Sequence, residues 1–334
     1  MNAVELTREF VKIPSLTPEE EAFAQHLEKL FEQAGWKASR HEIADNRWNL
    51  YVVPDDKIEP EVVFCAHLDT VAPFLEYDED EEYIYGRGSC DDKGVMASMI
   101  EAAIRLVAEG HTRIGLLFTV GEEVDSIGAK VANDRAPGSV KYTLIGEPTE
   151  NTLIAGQKGI YIAEVTTSGK PAHSAYPVLG ESAVNKLLDI LERVRQAELP
   201  VDPGLGETTL NISKLTGGDR YNVIPDEAGA GLMFRVATST ADVEHIVRKA
   251  VGDQGTIEVI NRSEPQTMVR IPGYDQGIVA FGSDIPYLTK WGERLMLGPG
   301  SIHDAHTDHE KISKRAIRDA VRLYVDIAKY LFSQ

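Results

Sequence analysis

The sequence predicts an α/β protein with a doubly wound mixed sheet, interrupted by an inserted α+β domain of ferredoxin-like order. Strand and helix patterns alternate through roughly the first 150 residues, which is typical of a sheet with parallel pairs. Residues 158–267 instead follow the order β-α-β-β-α-β, which indicates a small antiparallel sheet backed by two helices. A chain of 334 residues has room for about two domains. We therefore expect one discontinuous domain, residues 1–157 with 268–334, and a second domain over 158–267.

The first predicted domain opens with a helix over residues 17–35. Thr17 can act as its N-cap, and Pro18 fits the first turn. The apolar residues of this segment recur at helical spacing, so we expect one buried face. The other elements of the domain are expected to be strands at 47–53, 61–67, 113–121 and 140–146, and helices at 93–110 and 311–332.

The second predicted domain begins with an alternating pattern of apolar and polar residues, which is typical of a strand with one buried face. Its strands are expected at 160–169, 208–217, 227–237 and 256–260, and its helices at 181–197 and 240–252.

Composition and charge exclude several classes of function. The formal net charge of −19 opposes binding to nucleic acid or to an anionic membrane surface. No run of about 18 uncharged apolar residues is present, so no transmembrane helix is expected. The N-terminus lacks the pattern of a secretory signal, and two cysteines are too few for a disulfide framework, so we expect a cytoplasmic protein. The acidic run at 76–82 is expected to be a solvated loop.

Carboxylate and imidazole side chains follow the ends of several predicted strands. In open α/β sheets, ligands bind outside the carboxyl ends of the strands. The side chains expected there are His67, Asp69, Asp91, Asp92, Glu122, Glu123 and Glu147. Acids gathered at one edge repel one another unless a cation neutralises them, so we expect a metal site. The mixture of ligands suits zinc, with manganese or cobalt as alternatives, and the candidates are numerous enough for two ions.

Two further groups of residues could add ligands. Cys65 shares a strand face with His67 and would make a softer site, but its place further down the strand favours a buried structural cysteine. The segment HDAHTDH holds His303, His306 and His309, and spacing alone does not choose among them.

Six short motifs occur in order along the chain: HLDTVAP (67–73), YGRGSCDDKG (85–94), TVGEEVDSIGAK (119–130), GEPT (146–149), KPAHSAYP (170–177) and NVIPDEA (222–228). Together they resemble the M20 family of dinuclear zinc metallopeptidases and deacylases. The segment GPGSIHDAHTDHEKI near the C-terminus is most similar to the acetylornithine and acetyl-lysine deacetylase branch. The resemblance implies the same two-domain fold and a metal-dependent hydrolytic activity.

The resemblance implies two zinc ions held by five side chains. His67 and Glu147 would bind one ion, Glu123 and His306 would bind the other, and Asp91 would bridge both. Among the three histidines of HDAHTDH, the resemblance therefore favours His306 as the ligand, with His303 as the alternative.

The resemblance also implies roles for residues beside the ligands. Glu122 would be the general base, which takes a proton from water and passes it to the leaving amine. Asp69 would orient the imidazole of His67. Asp92 departs from the family pattern, which usually has an apolar residue such as methionine there, so we do not expect it to be a ligand.

Residues of the second domain are implied to contact the substrate. His173 would help hold the oxyanion, usually from the partner subunit, and the alternative is a surface histidine. Asn222 and Arg235 would grip the substrate, with Arg235 binding an α-carboxylate, unless Arg235 forms a structural ion pair. Lys158 is a weaker carboxylate candidate. The domain would then be a lid and the surface of a homodimer.

The implied activity is hydrolysis of the amide bond of an N-acyl amino acid. The first expectation is deacetylation of N-acetyl-L-ornithine or N-acetyl-L-lysine in arginine or lysine biosynthesis. The alternatives are lysine or ornithine attached to a carrier protein, N-acetylcitrulline, N-succinyl-diaminopimelate, and the substrates of a dipeptidase or carboxypeptidase. A catalytically silent binding protein of the same fold is disfavoured, because the base and every ligand position are filled.

Overall fold

The computed structural model describes all 334 residues, which form two compact units. The first unit comprises Met1–Ala155, Met268–Gly277 and Ser283–Gln334, and the second comprises Gly156–Thr267 and Ile278–Gly282. The domain boundaries expected from the sequence lie within two residues of these, apart from the short segment Ile278–Gly282.

Seven helices and eighteen strands make up the two units. The first half of the chain contains α1 (Ala3–Val11), α2 (Glu21–Gln33), β1 (Lys37–Ala44), β2 (Arg47–Val53), β3 (Val62–His67), β4 (Asp78–Glu79), β5 (Tyr83–Tyr85), α3 (Lys93–Ala108), β6 (Ile114–Thr119), α4 (Ile127–Asn133), β7 (Tyr142–Ile145) and β8 (Leu153–Gln157). The second half contains β9 (Gly159–Ser168), α5 (Ala183–Gln196), β10 (Val201–Asp202), β11 (Gly206–Glu207), β12 (Thr209–Gly217), β13 (Glu227–Val236), α6 (Thr240–Val251), β14 (Thr256–Ser263), β15 (Gln266–Thr267), β16 (Gln276–Val279), β17 (Glu293–Met296), β18 (Lys311–Ser313) and α7 (Lys314–Phe332). None of the helices has the length and apolar character needed to cross a membrane.

The sheet of the first unit is mixed, as the sequence predicts. Its strands lie in the order β1-β2-β6-β3-β7-β17-β8. The pairs among β6, β3, β7 and β17 are parallel, whereas β1, β2 and β8 pair with their neighbours in antiparallel fashion. The parallel strands end at one edge, and α3 begins beside it. Asp92, which precedes α3, accepts at Oδ2 a hydrogen bond from the N–H of His67, the last residue of β3, at 3.2 Å. This edge is where the sequence places its candidate ligands.

The core of the first unit fixes the position of these strand ends. Strands β3 and β6 are buried along their whole length, which is typical of central strands in a covered sheet. Helix α3 packs against α1 and α7, and its Met96, Ile100 and Leu106 are fully buried. Full burial of a side chain of this size contributes about 1.5–3 kcal/mol. The loops that follow β3 and β6 therefore begin at strands that are fixed in a packed core.

Helix α2 begins later than the sequence predicts. It runs over Glu21–Gln33 with Glu20 at its N-cap position, so the expected capping role of Thr17 is wrong. The Thr17 hydroxyl instead donates to Asp69 Oδ2 at 2.7 Å, and the peptide bond between Thr17 and Pro18 is cis. The Thr17 side chain thus makes a tertiary contact with Asp69, and the helix begins beyond it.

The acidic run at 76–82 is largely exposed, as the sequence predicts, but it also carries structure. Asp78–Glu79 forms β4, which pairs with β5. Glu79 forms ion pairs with Arg8 and Lys314, at 2.8 and 2.9 Å. Both partners of the Arg8 pair are about one-third exposed, and an exposed pair contributes about 0–1 kcal/mol. The run is therefore a hairpin edge with weak electrostatic support.

The second unit has the α+β fold that the sequence predicts. Its elements β9-α5-β12-β13-α6-β14 reproduce the expected chain order. Its sheet has the order β12-β13-β9-β14, and every pair in it is antiparallel. Helices α5 and α6 pack on this sheet, and each begins at a capping serine, Ser182 and Ser239 respectively. The unit has a hydrophobic core of its own.

Candidate metal and catalytic site

The candidate site lies at the edge of the first unit's sheet where β3, β6 and β7 end. Five segments of the chain supply its expected ligands. These are His67 at the end of β3, Asp91 just before α3, Glu123 after β6, Glu147 after β7 and His306 between β17 and β18.

Asp91 stands between the two histidines. Its Oδ1 lies 2.9 Å from His67 Nε2, and its Oδ2 lies 3.3 Å from His306 Nε2. His306 Nε2 also lies 3.0 Å from Glu123 Oε1. Donor atoms of His67, Asp91 and Glu123 all lie within 4.8 Å of one another. Each oxygen of Asp91 therefore faces a different histidine.

These spacings fit a metal ion. Donors bound tetrahedrally to zinc at the usual bond lengths lie about 3.3 Å from one another. The distances of 2.9–3.3 Å between the histidine nitrogens and the carboxylate oxygens are close to that value. The Nδ1–H of His67 donates to the Asp69 carbonyl at 2.8 Å, which leaves Nε2 as the free ligand atom.

His306 has a backbone conformation that few residues adopt. Its φ of 61° lies in the left-handed region, which is uncommon for a residue other than glycine. Backbone strain of this kind is concentrated at functional sites. All three histidines of the segment are exposed, and His306 is the one whose ring contacts Asp91.

The carboxyls of the site repel one another. Burial raises the pKa of Glu122, Glu123 and Glu147 above the ordinary value, and neighbouring carboxylates add to each shift. Hydrogen bonds to Asp91 and Glu123 raise the pKa of His306 to about 10. A cation held among these groups would relieve the repulsion that raises the carboxyl pKa values.

Asp69 contacts both the His67 ring and the loop that follows β6. Its backbone carbonyl holds the His67 ring, while its carboxylate lies 3.7 Å from His67 Nδ1. The carboxylate instead accepts hydrogen bonds from the backbone N–H groups of Glu122 and Glu123, at 3.1 and 3.2 Å. Asp69 therefore anchors the loop that carries the expected base and one expected ligand.

Asp92 and Glu147 are two further buried carboxyl groups at the site. Asp92 is fully buried, and its Oδ1 has no hydrogen-bond partner in the protein. Glu147 is also buried and lies outside the group of three mutually close donors. The sequence analysis gives Asp92 no ligand role, and its Oδ2 contact with the His67 backbone agrees with a place beside the site.

Glu310 is a part of the site that the sequence analysis does not single out. Its Oε1 accepts hydrogen bonds from the N–H groups of Cys90 and Asp91, at 3.0 and 3.1 Å. Its Oε2 lies 2.6 Å from Arg87 Nη1, and both side chains are buried. The acid at the end of the histidine-rich loop thus fixes the turn that presents Asp91. The two partners are more than 200 residues apart, and no local pattern indicates the pairing.

Neither cysteine contributes a ligand in this arrangement. Cys65 and Cys90 are buried free thiols, and burial raises the pKa of each well above the ordinary value. A thiol with a raised pKa is a poor nucleophile and a poor ligand. Cys65 therefore fits the structural role expected for it.

The second unit brings two of its expected site residues together. His173 pairs with Val223 in an isolated bridge, and Ser174 N donates to Asn222 O at 3.0 Å. Neighbouring loops therefore present His173 and Asn222 side by side. His173 is exposed, and its Nδ1 accepts a hydrogen bond from Ala175 N at 3.1 Å.

The two other expected residues of this unit, Arg235 and Lys158, differ in whether the side chain has a partner in the protein. Arg235 lies on β13, is partly buried, and forms no ion pair or side-chain hydrogen bond, so the alternative of a structural ion pair is not seen. Burial lowers the pKa of its guanidinium. Lys158 Nζ donates to the Glu207 carbonyl at 2.6 Å.

Comparisons with known proteins identify the family of this chain. A model of peptidase family M20/M25/M40 matches residues 63–330, which is most of the chain. The chain belongs to peptidase family M20/M25/M40.

Relatives match this chain over nearly its whole length. A Peptidase M20 domain-containing protein of Schizosaccharomyces pombe is 34% identical over 338 residues, covering 98% of this chain and 84% of the relative. A probable carboxypeptidase of Aspergillus flavus is 35% identical over 365 residues, covering 95% of this chain and 84% of the relative. The structure of a tripeptidase from Staphylococcus aureus has the same fold, with a TM-score of 0.84 at 22% identity, covering 100% of this chain and 98% of that one.

Membership of the family confirms the resemblance derived from the motifs. This M20 peptidase is a metal-dependent hydrolase of amide bonds. The relatives carry the names of peptidases, so the acetylornithine and acetyl-lysine branch stays a prediction.

Proposed function

We propose that this M20 peptidase binds two zinc ions and hydrolyses the amide bond that precedes a free α-carboxylate. Such a bond joins the C-terminal residue of a short peptide or the acyl group of an N-acyl amino acid. The observation that carries the proposal is the placement of Asp91, whose two oxygens face His67 and His306 separately. One carboxylate between two histidines is the arrangement of a bridging ligand.

The ligands divide into two sets around that bridge. We assign His67 and Glu147 to one zinc ion and Glu123 and His306 to the other, with Asp91 common to both. When bound, the ions polarise the scissile carbonyl and lower the pKa of water. The buried carboxylates balance the positive charge that the ions bring.

Glu122 is the general base in this proposal. Burial raises the pKa of its carboxyl well above the ordinary value, with the neighbouring Asp284 carboxylate adding to the shift. A carboxyl with a raised pKa accepts a proton from water more readily and returns it to the leaving amine. The hydrogen bond from Glu122 N to Asp69 fixes the backbone beneath it.

Arg235 is proposed to bind the α-carboxylate of the substrate. Its guanidinium has no partner in the protein and is partly buried, where a bidentate carboxylate contact is strongest. His173 and Asn222 are proposed to hold the carbonyl oxygen and the substrate backbone. Lys158 is the weaker candidate, because its ammonium already donates to a carbonyl.

The names of the relatives favour peptides as substrates, and an exposed carboxylate is common to peptides and N-acyl amino acids. N-acetyl-L-ornithine and N-acetyl-L-lysine remain the predicted alternatives. The homodimer, the lid motion of the second unit and the cytoplasmic location also remain predictions.

The test measures amine release from dipeptides, tripeptides, N-acetyl-L-ornithine and N-acetyl-L-lysine, each with and without chelator. Zinc content per chain is measured on the same preparation, with two ions expected. Glu122→Gln should keep both ions and lose about 10²–10⁴-fold in kcat. The matched control is Glu109→Gln. Glu109 is an exposed acid paired with Lys329, so this change should alter neither the zinc content nor kcat.

A second comparison tests the carboxylate requirement. Each good peptide is offered again with its C-terminus amidated, and cleavage should fall sharply if Arg235 needs the carboxylate. Equal cleavage of the free acid and the amide would point to an aminopeptidase instead. Full activity in Glu122→Gln would refute the assigned base.

A further inference from the structure

Glu122 lies in a tight loop, residues 119–126, which we call the base loop. Inside the loop, Ser126 N donates to Gly121 O at 2.7 Å. From outside, Asp69 Oδ1 accepts a hydrogen bond from Glu122 N at 3.1 Å. Asp69 therefore holds the middle of the base loop. Its carboxylate makes no hydrogen bond to the two ends, Thr119 and Ser126.

Asp284 reaches both ends of the base loop from a distant part of the first unit. It lies just before the 3₁₀ turn Ile285–Tyr287 and is 3% exposed. Its Oδ2 accepts a hydrogen bond from the Thr119 hydroxyl at 2.7 Å, and the Ser126 hydroxyl interacts with the same carboxyl. Thr119 begins the loop and Ser126 ends it, so one carboxylate ties the two ends together.

The burial of Asp284 is costly. Its Oδ1 has no hydrogen-bond partner in the protein, so burial removes its hydrogen bonds to water without a replacement. Burial also raises the pKa of Asp284 to about 6, although the hydroxyls of Thr119 and Ser126 oppose the shift. Buried polar atoms without a partner occur mainly at functional sites. We therefore expect Asp284 to have a role besides packing.

The loop conformation explains why it needs anchors. Ser126 has a φ of 52°, in the left-handed region that serine rarely adopts. Gly121 has a φ of 75°, and a side chain there would meet Arg47 Nη2 at 2.8 Å. Strained backbone of this kind persists when surrounding contacts over-determine it.

We propose that Asp284 is a positioning residue for Glu122, acting by fixing both ends of the base loop. The inference rests on the proposed function, because it takes Glu122 as the base. Misplacement of a reacting group by about 1 Å costs about 100-fold in rate. A loop held at its ends by Asp284 and in its middle by Asp69 keeps the Glu122 carboxylate in one place.

The test removes the hydroxyl that Asp284 holds. Thr119→Val keeps the shape of the side chain and deletes the hydrogen bond, while Thr119→Ser restores the donor. The matched control is Thr143→Val, because Thr143 is also fully buried in the first unit and donates to Trp291 O at 2.6 Å. Each variant is measured for kcat and KM on the best substrate, for zinc content, for thermal stability and for hydrogen exchange of the base loop.

The proposal expects a specific pattern. Thr119→Val should lose about 10–100-fold in kcat while KM and zinc content stay nearly constant. Exchange of the base-loop amides should speed up at least about fivefold in metal-free protein. Thr119→Ser should recover most of both losses. Thr143→Val should lose similar stability and keep the kcat and the base-loop exchange of the original protein.

Four outcomes would contradict the inference or the proposed function on which it rests. Thr119→Val with unchanged kcat and base-loop exchange would show that the contact does not position Glu122. Equal losses of kcat in Thr119→Val and Thr143→Val would show a general structural effect. If Glu122→Gln is inactive while Thr119→Val is fully active, the positioning role alone is wrong. Full turnover by Glu122→Gln would remove both the base and the role built on it.

Discussion

The buried pair of Arg87 and Glu310 is the contact whose loss should be easiest to measure. The two side chains are 1% and 0% exposed, and their charged atoms lie 2.6 Å apart. Glu310→Gln keeps the shape of the side chain and one oxygen that can accept from the N–H groups of Cys90 and Asp91. It removes the charge opposite the Arg87 guanidinium, which stays buried.

The structure sets the magnitude of this effect. Breaking a buried pair by removing one partner costs about 3–5 kcal/mol, because the other charge is left uncompensated. The retained hydrogen bonds place the expected loss for Glu310→Gln near the lower end, at about 3 kcal/mol. The control is Glu79→Gln, because Glu79 is about one-third exposed and pairs with Arg8 and Lys314. At about 0–1 kcal/mol for each pair, that change should cost no more than about 2 kcal/mol.

Urea unfolding followed by tryptophan fluorescence is the assay. All three tryptophans, Trp36, Trp48 and Trp291, are buried in the first unit, so the signal reports on the unit that holds the pair. Chelator is present throughout, because bound metal would add its own stabilisation. A free energy of unfolding for Glu310→Gln equal to that of Glu79→Gln would refute the reasoning. A parallel titration should show about 10–100-fold weaker zinc binding, because Glu310 also fixes the turn that presents Asp91.

Three more outcomes are expected from the same structure. Arg235→Met should raise KM at least about tenfold for substrates with a free α-carboxylate and leave their amides unaffected, as steady-state kinetics would show. Burial lowers the pKa of the His41 imidazole from the ordinary value of 6.5 to about 4. Between these two pH values the unfolded chain binds a proton that the folded protein does not bind. The free energy of unfolding therefore falls as the pH decreases from about 6.5 toward 4. Urea unfolding should show about 2 kcal/mol less stability at pH 5 than at pH 6.5, and His41→Gln should remove most of that difference. Cys65 and Cys90 are buried with raised thiol pKa values, so neither should react with a thiol reagent until urea unfolds the first unit, and reaction of the native protein would contradict their burial.

The order of the elements was predictable because it depends on local patterns. Strands β3 and β6 read as continuous apolar runs, and the structure buries every residue of both. The second unit was predictable from chain order, because β-α-β-β-α-β has few compact arrangements. The start of α2 was not predictable, since Thr17 is a good N-cap by local rules and the contact that its hydroxyl makes with Asp69 joins distant parts of the chain.

The same division between local and distant contacts explains the site. His67, Asp91 and Glu123 were predictable because strand ends in an α/β sheet converge, and convergence needs no knowledge of side-chain packing. The anchors were not predictable, because Asp284 and Glu310 act through partners that lie far away in the sequence. Neither acid carries a local signal that separates it from a solvated surface acid. A ligand set can therefore be found from strand topology, whereas the residues that hold its loops in place emerge only when the buried carboxylates are traced to their partners.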